Sequence, residues 1–141
     1  MKGYRYFIDT NIFLRVLVQD DEKTFPECLK LLEKVRQNQI QAVTSVLVLA
    51  EINWTLLRFY KFPKERVVEG IRSISVLKNL TFIERFHVPS AIALYQMYSV
   101  KFIDALIVSS PLVVNREMKV ISYDTDFDKL KVERVEPGEL V

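Results

Sequence analysis

Four carboxylates stand in sequence surroundings where a solvated acid is not expected. Asp9 ends the apolar run Tyr6-Phe7-Ile8, and Asp104 lies inside Phe102-Ile103-Asp104-Ala105-Leu106-Ile107-Val108. Asp124 follows Val120-Ile121-Ser122-Tyr123, and Glu51 is set among Val48, Leu49, Ala50 and Ile52. A buried carboxylate without compensation is costly, so each of these acids needs a partner. Acids that converge without cationic side chains repel one another unless a hard divalent cation neutralises them, and an all-oxygen donor set suits magnesium or manganese. Such an ion lowers the pKa of a bound water and stabilises the leaving oxygen in phosphodiester displacement. Each acid also has a purely structural reading. Asp9 could cap a helix starting near Asn11, Asp104 could pair with Lys101, Asp124 with Asp126 and Asp128 could form a solvated turn, and Glu51 could reach Arg58 or solvent.

The chain offers little other chemistry. It has no Gly-x-Ser-x-Gly elbow, Walker loop or glycine-rich phosphate cradle. Its one histidine, His87, excludes two-imidazole zinc helices, and its one cysteine, Cys28, excludes an intramolecular disulfide and a Cys-x-x-Cys knuckle. His87, beside Pro89, is expected at the surface or at a helix entry, and Cys28 reads as a small core residue.

The elements that must position the acids follow from periodicity and punctuation. Residues 4–8 form a β-branched and aromatic strand that breaks at Asp9-Thr10-Asn11, after which Ile12, Leu14, Val16 and Leu17 space as a short helix. Thr24-x-x-Glu27, with Pro26 between, reads as a capping box opening a helix over 24–38 whose apolar face is Cys28, Leu31, Leu32 and Val35. A brief strand at 42–44 leads to Ser45, the N-cap of a helix through Glu51 and Trp54 that stops before Pro63. Pro63 opens a further helix burying Val67, Val68, Ile71 and Ile74. Residues 80–83 read as a third strand, 90–98 as a helix with an Ala91, Leu94, Tyr95, Tyr98 stripe, and 102–110 as a helix that Pro111 kinks or, with Ser110 as N-cap, restarts. Strands at 119–123 and 132–135 complete the series. Strands alternate with helices through connections too long for hairpins, which predicts an α/β fold: one domain over 1–141 with a mainly parallel central sheet covered on both faces. In such a sheet ligands bind outside the carboxyl ends of the strands, where Asp9 and Asp124 are placed.

Composition bounds the remainder. The 141 residues are 50% hydrophobic and 27% charged, an ordinary globular balance. The net charge of +2 is close to neutral, but setting the four acids aside leaves 20 basic residues against 14 acidic ones, a moderately basic surface around a concentrated acidic patch. The uncharged stretches 37–50 and 86–100 are too short and too polar to span a membrane, and the N-terminus reaches Asp9 before an apolar stretch of signal-peptide length develops, so a soluble, cytoplasmic protein is expected.

These residues resemble the PIN-domain ribonucleases, and among them the VapC-type toxins of toxin–antitoxin pairs. The resemblance lies in Phe7-Ile8-Asp9-Thr10-Asn11-Ile12-Phe13, in Glu51 on a central helix, in Asp104-Ala105 entering a late helix, and in Ser122-Tyr123-Asp124-Thr125-Asp126-Phe127 near the end. It spans nearly the whole chain; residues 63–89 match nothing diagnostic, and Ser109, Ser110 and Pro111 stand where the family usually continues a helix with small alanines. The resemblance implies a magnesium- or manganese-dependent endoribonuclease in which Asp9, Glu51, Asp104 and Asp124 line the metal site, with Asp126 as an alternative fourth acid. Thr10 belongs to the same supporting motif, Asn11 would orient Asp9 or substrate, and Ser122, where the family often has threonine, would hydrogen-bond the carboxylates. It also implies a homodimer silenced by a small antitoxin that covers the groove. Trp54, Tyr95 and Tyr98 could serve such interfaces, but aromatic stripes on helices are expected in the core. Arg15, Arg58, Lys61 and Lys64 could border the groove, although a solvated helix face is the expected role for each.

Three other readings are carried alongside. A PIN-like module could hold RNA or protein without cutting, and a stand-alone processing nuclease would need no antitoxin. An aspartyl phosphatase would need a second acid where this chain has Asn11.

Overall fold

The computed structural model describes residues 3–141. The first strand, β1 (Arg5–Ile8), is followed by α1 (Thr10–Val18) and α2 (Thr24–Arg36), then β2 (Ala42–Thr44). Helices α3 (Val46–Arg58) and α4 (Lys64–Ser75) lead to β3 (Leu80–Phe82), and α5 (Val88–Met97), α6 (Phe102–Val108) and α7 (Pro111–Val114) lead to β4 (Met118–Ile121). A short α8 (Asp126–Lys129) precedes β5 (Arg134–Val135), and a 3-10 turn over Pro137–Glu139 ends the ordered elements.

All five strands are parallel, in the order β3-β2-β1-β4-β5. Successive strand residues point to opposite faces. Phe7 and Ile8 are both fully buried, as are Val120 and Ile121, so helices cover the sheet on both sides, as the α/β reading requires. The two crossovers leading to β2 and β3 run one way along the sheet, and those leading to β4 and β5 run the other. With right-handed crossovers this puts α1–α4 on one face and the later helices on the opposite one. The packing agrees: α1 meets α2 and α3, and α3 meets α4, while α5 packs chiefly on α6 and α6 on α7.

The strand order reverses between β1 and β4, and a crevice forms at that switch point, at the carboxyl ends of the two strands. Ile8 pairs with Ile121 at the end of the β1–β4 ladder, so Asp9 and Ser122 leave the sheet side by side. Thr44 at the end of β2 ties in from the other side, its hydroxyl donating to the Ile8 carbonyl at 3.0 Å.

Ser45 caps α3 by accepting from the Leu47 amide at 3.1 Å, as expected. Helix α5 begins at His87, whose exposed ring accepts from the Ser90 amide at 3.3 Å. Pro111 restarts a helix, with Ser110 at its N-cap position. Three expectations are corrected, the first being Val68, which is 39% exposed and lies off the buried face of α4. The capping box at Thr24 does not form: Asp21 accepts from the Lys23 and Thr24 amides, each at 3.0 Å, and the Glu27 carboxylate instead accepts from the Tyr123 hydroxyl at 3.1 Å. Trp54 and Tyr95 are not core residues; they are 62% and 52% exposed. The buried stripe of α3 is Val48, Ile52 and Leu56, spaced by four, and Trp54 falls off that face. Helix α5 buries only Ala91 fully, and Tyr95 meets Phe102 edge to face at 5.5 Å. Tyr98 is half-buried against the core and Cys28 is fully buried. Among the described residues no helix is long and apolar enough to cross a membrane.

Candidate metal centre

The segments that follow β1 and β4 and the start of α6 converge at the β1/β4 crevice. Asp9 occupies the N-cap position of α1, yet its side chain makes no capping bond and is 2% exposed. Its Oδ2 instead accepts from the Ser122 hydroxyl at 2.7 Å and from Asn11 Nδ2 at 3.3 Å. Asn11 Nδ2 also donates to Ser122 Oγ at 3.0 Å, and Asn11 Oδ1 accepts from the Tyr123 amide at 3.2 Å. Ser122 Oγ in turn accepts from the Asp124 amide at 2.9 Å. This closed network, built by Asn11 and Ser122, sets the orientation of Asp9 and the path of the loop after β4. Thr10, also anticipated as supporting, is buried in the first turn of α1 and its hydroxyl has no hydrogen-bond partner.

Ser122→Ala removes a buried hydroxyl that serves three partners. Leaving buried polar groups unsatisfied costs about 1–3 kcal/mol, so the urea midpoint is expected to fall by that equivalent. An unchanged midpoint would mean that the loop re-pairs without the serine.

Asp104 enters from the opposite face as the third residue of α6 and is fully buried. Among the described residues neither of its carboxylate oxygens has a hydrogen-bond partner. Oxygens of Asp104, Asp124 and Asp126 lie within 4.8 Å of one another. Asp9 and Glu51 stand outside this set, although the charges of both act on Asp104. Asp124 and Asp126, posed in the sequence as alternatives, are therefore both present. Asp124 Oδ1 accepts from the Asp126 amide at 2.9 Å, and Asp126 opens α8. The third acid of that segment, Asp128, leaves the cluster and pairs with Arg134 at 3.1 Å.

Electrostatics reflects the crowding. Burial, then the nearby Asp9, push the Asp104 carboxyl up to about 8 against the pull of Lys101. Burial likewise raises Asp9 to about 6, despite the Ser122 hydrogen bond. A cation accompanies the acids: Lys101, which the sequence offered as a pair for Asp104, stands beside them. Its Nζ is 3.3 Å from Asp124 Oδ2 and 4.0 Å from Asp104 Oδ2. Burial pulls this lysine down, but Asp104, Glu51, Asp9 and Asp124 together more than reverse that, to about 12. The sequence signal was the three-residue spacing from Lys101 to Asp104 at a helix start, read there only as a structural pair. Glu51, half-buried on α3, makes no ion pair with Arg58 or any other cation among the described residues.

The donor set fits a hard divalent ion. Asp104 presents two orphaned buried oxygens, the neighbouring donors are all carboxylate oxygen, and no sulfur or imidazole lies in the cluster. By contrast, a cavity of about 480 Å³ near the amino end of β4, lined by Tyr4, Arg116, Lys119, Lys131 and Glu133 among others, holds a single acid, and Lys119 already pairs with it at 2.7 Å.

Comparison with known proteins bears on this geometry. The PIN domain family matches residues 6–133 of the chain. Two solved structures share the fold. One is VapBC2 from Rickettsia felis bound to a DNA fragment from its promoter (TM-score 0.64, 16% identity, covering 94% of this chain and 98% of that one). The other is a toxin-antitoxin complex from Klebsiella pneumoniae (TM-score 0.57, 22% identity, covering 94% and 97%). No curated protein matches the chain.

Proposed function

The chain belongs to the PIN-domain family, a family of nucleases, and from that membership we propose that it is a magnesium- or manganese-dependent endoribonuclease acting in the cytoplasm as the toxin of a toxin–antitoxin pair. The observation that carries the reading is the convergence of Asp104, Asp124 and Asp126 at the switch point of the sheet, with both Asp104 oxygens unpartnered and Asp9 held alongside. Asp104, Asp124 and Asp126 would hold the ion, with Asp9 and Glu51 adding negative charge beside it. A divalent ion bound there supplies stabilisation for the charge that builds on a phosphodiester during displacement.

The protein's own groups do the positioning. Ser122 and Asn11 occupy Oδ2 of Asp9, which leaves Oδ1 free of side-chain donors and available to hold a proton or orient a water. Burial keeps Asp104 from being captured by solvent or by a competing donor. Lys129, exposed at the rim beside Asp126, would offer a polyanionic strand local positive charge, the term that dominates nucleic-acid affinity.

The partner reading rests on two supports. Both fold neighbours are toxin–antitoxin complexes. The surface also exposes large apolar groups, Trp54 and Phe59 on or just after α3 and Ile92, Tyr95 and Met97 on α5, of the kind that an antitoxin segment or a second copy of the chain would cover.

The test is cleavage of a mixed-sequence single-stranded RNA by the purified protein. Products are expected with manganese or magnesium and none with EDTA, and Asp9→Asn is expected to be inactive while keeping its far-ultraviolet dichroism. Equal cleavage by wild type and Asp9→Asn, or full cleavage in EDTA, would reject the metal-nuclease reading. RNA binding with no cleavage under any of these ions would favour the non-catalytic alternative. Co-expression with the product of a short adjacent reading frame, if it abolishes cleavage, would separate a toxin from a stand-alone nuclease.

A further inference from the structure

The acid cluster carries cations of its own, and the two are held differently. Lys129 Nζ lies 3.1 Å from Asp126 Oδ1 and is also anchored by the Ser99 carbonyl at 3.2 Å. Lys101 has no such anchor. Its Nζ stands 3.3 Å from Asp124 Oδ2 and 4.0 Å from Asp104 Oδ2, and half of its side chain is exposed. Lys101 occupies the N-cap position of α6 through its backbone, and its side chain takes no part in capping, so the stem can move without disturbing the helix. The oxygens its ammonium faces belong to the same carboxylates that would receive a divalent ion. One of them, Asp104 Oδ2, is buried with no hydrogen bond of any kind.

An ammonium and a divalent ion compete for such oxygens, because each satisfies the same excess negative charge. We propose that Lys101 is a tethered counter-ion of the acid cluster, which the divalent ion must displace, so that this lysine lowers and sets the metal affinity of the site. The inference rests on the reading of Asp104, Asp124 and Asp126 as the metal-holding set. Without metal, Lys101 offsets the mutual repulsion of the acids and keeps the crevice assembled. With metal, the ammonium swings outward along its exposed stem. Its displacement gives up only the two carboxylate contacts, since no neutral acceptor holds it.

The experiment is calorimetric titration of the full-length protein with manganese chloride, together with thermal melts in EDTA and in manganese. Lys101→Met is expected to bind manganese about tenfold more tightly than wild type, the order expected for no longer having to displace one partly screened ammonium from its carboxylate contacts. It is also expected to melt lower than wild type in EDTA and to show the larger rise when manganese is added. Lys101→Arg keeps the charge and should stay near wild type in all three readouts, and Lys101→Gln provides a second neutral variant should the methionine form fold poorly. Unchanged or weaker manganese binding by both neutral variants would overturn the proposal, and a loss of RNA affinity alone would assign Lys101 to the substrate phosphate instead. Asp104→Asn in the same titration separates the two levels. Where wild type binds and Asp104→Asn does not, a null result at Lys101 removes the counter-ion alone; where wild type shows no millimolar-range binding, both readings fall.

Discussion

Asp104→Asn is expected to lower RNA cleavage by roughly 10³-fold while raising the thermal stability of the metal-free protein. The first effect follows from removing a charge that would hold the ion; loss of a single preorganised electrostatic group at a reacting phosphate or carbonyl costs rates of that order. The second follows from burial. The carboxyl is fully inaccessible, takes no hydrogen bond, and is pushed from 3.8 up to about 8 by desolvation and by Asp9. Each unit of that displacement is about 1.4 kcal/mol of differential interaction, so near pH 8 the wild-type carboxyl costs the metal-free fold on the order of a few kcal/mol. Asparagine removes the charge but brings a buried amide with unmet hydrogen bonds, which takes back about 1–3 kcal/mol. The net expectation is a metal-free midpoint several degrees above wild type at pH 8, with cleavage nearly abolished. Asp128→Asn is the matched control: it loses an exposed pair with Arg134, leaves the acid cluster whole, and should cleave at close to the wild-type rate. A lower metal-free midpoint for Asp104→Asn would show that the carboxylate is held by structural partners, and cleavage within a few-fold of wild type would remove Asp104 from the site altogether.

The acids of the candidate site are legible in the chain, while part of their setting is not. An acid set in an apolar run stands out against the local pattern, and Asp9, Asp104 and Asp124 each interrupt one. Ser45 was equally readable, because a cap is decided by its neighbours within three residues. What depends on distant contacts was not readable. Asp9 and Ser122 meet because β1 pairs with β4 rather than with β3, a strand order that no local period encodes. The separation of Asp128 from Asp126 depends on where β5 places Arg134. Trp54 shares its helix with a buried stripe but not its face, and Asp21, whose carboxylate takes the amides leading into α2, lies three residues upstream of the motif that imitated a capping box. Lys101 was visible at the correct spacing from Asp104, but its second contact, with Asp124 across the crevice, requires the sheet to be assembled first.

The stabilisation that manganese confers is expected to grow steeply between pH 5 and pH 8. Asp9 and Asp104 are both raised in the folded protein, from 3.8 to about 6 and about 8, so the metal-free fold holds protons that the unfolded chain has already released. Their contribution to metal-free stability is therefore fully present below about pH 4 and is lost as pH rises through about 6 and then about 8. Lys101, raised to about 12, keeps its charge across this window and contributes no slope. A divalent ion binds the ionised carboxylates and must displace those protons at low pH, so its affinity climbs by up to about one decade per pH unit for each proton released. At an ion concentration of about 100 times the dissociation constant the fold gains roughly 2.7 kcal/mol, which for a chain of this size corresponds to a melting shift on the order of 10 °C. Melts with and without manganese at constant ionic strength should show little difference at pH 5 and the full shift at pH 8. Because the comparison is made at each pH, titrations elsewhere in the molecule cancel. A shift of the same size at both ends would mean that the ion binds groups already ionised at pH 5, such as the exposed carboxylates of the surface, and that it is not held at the buried Asp104 with Asp9 alongside.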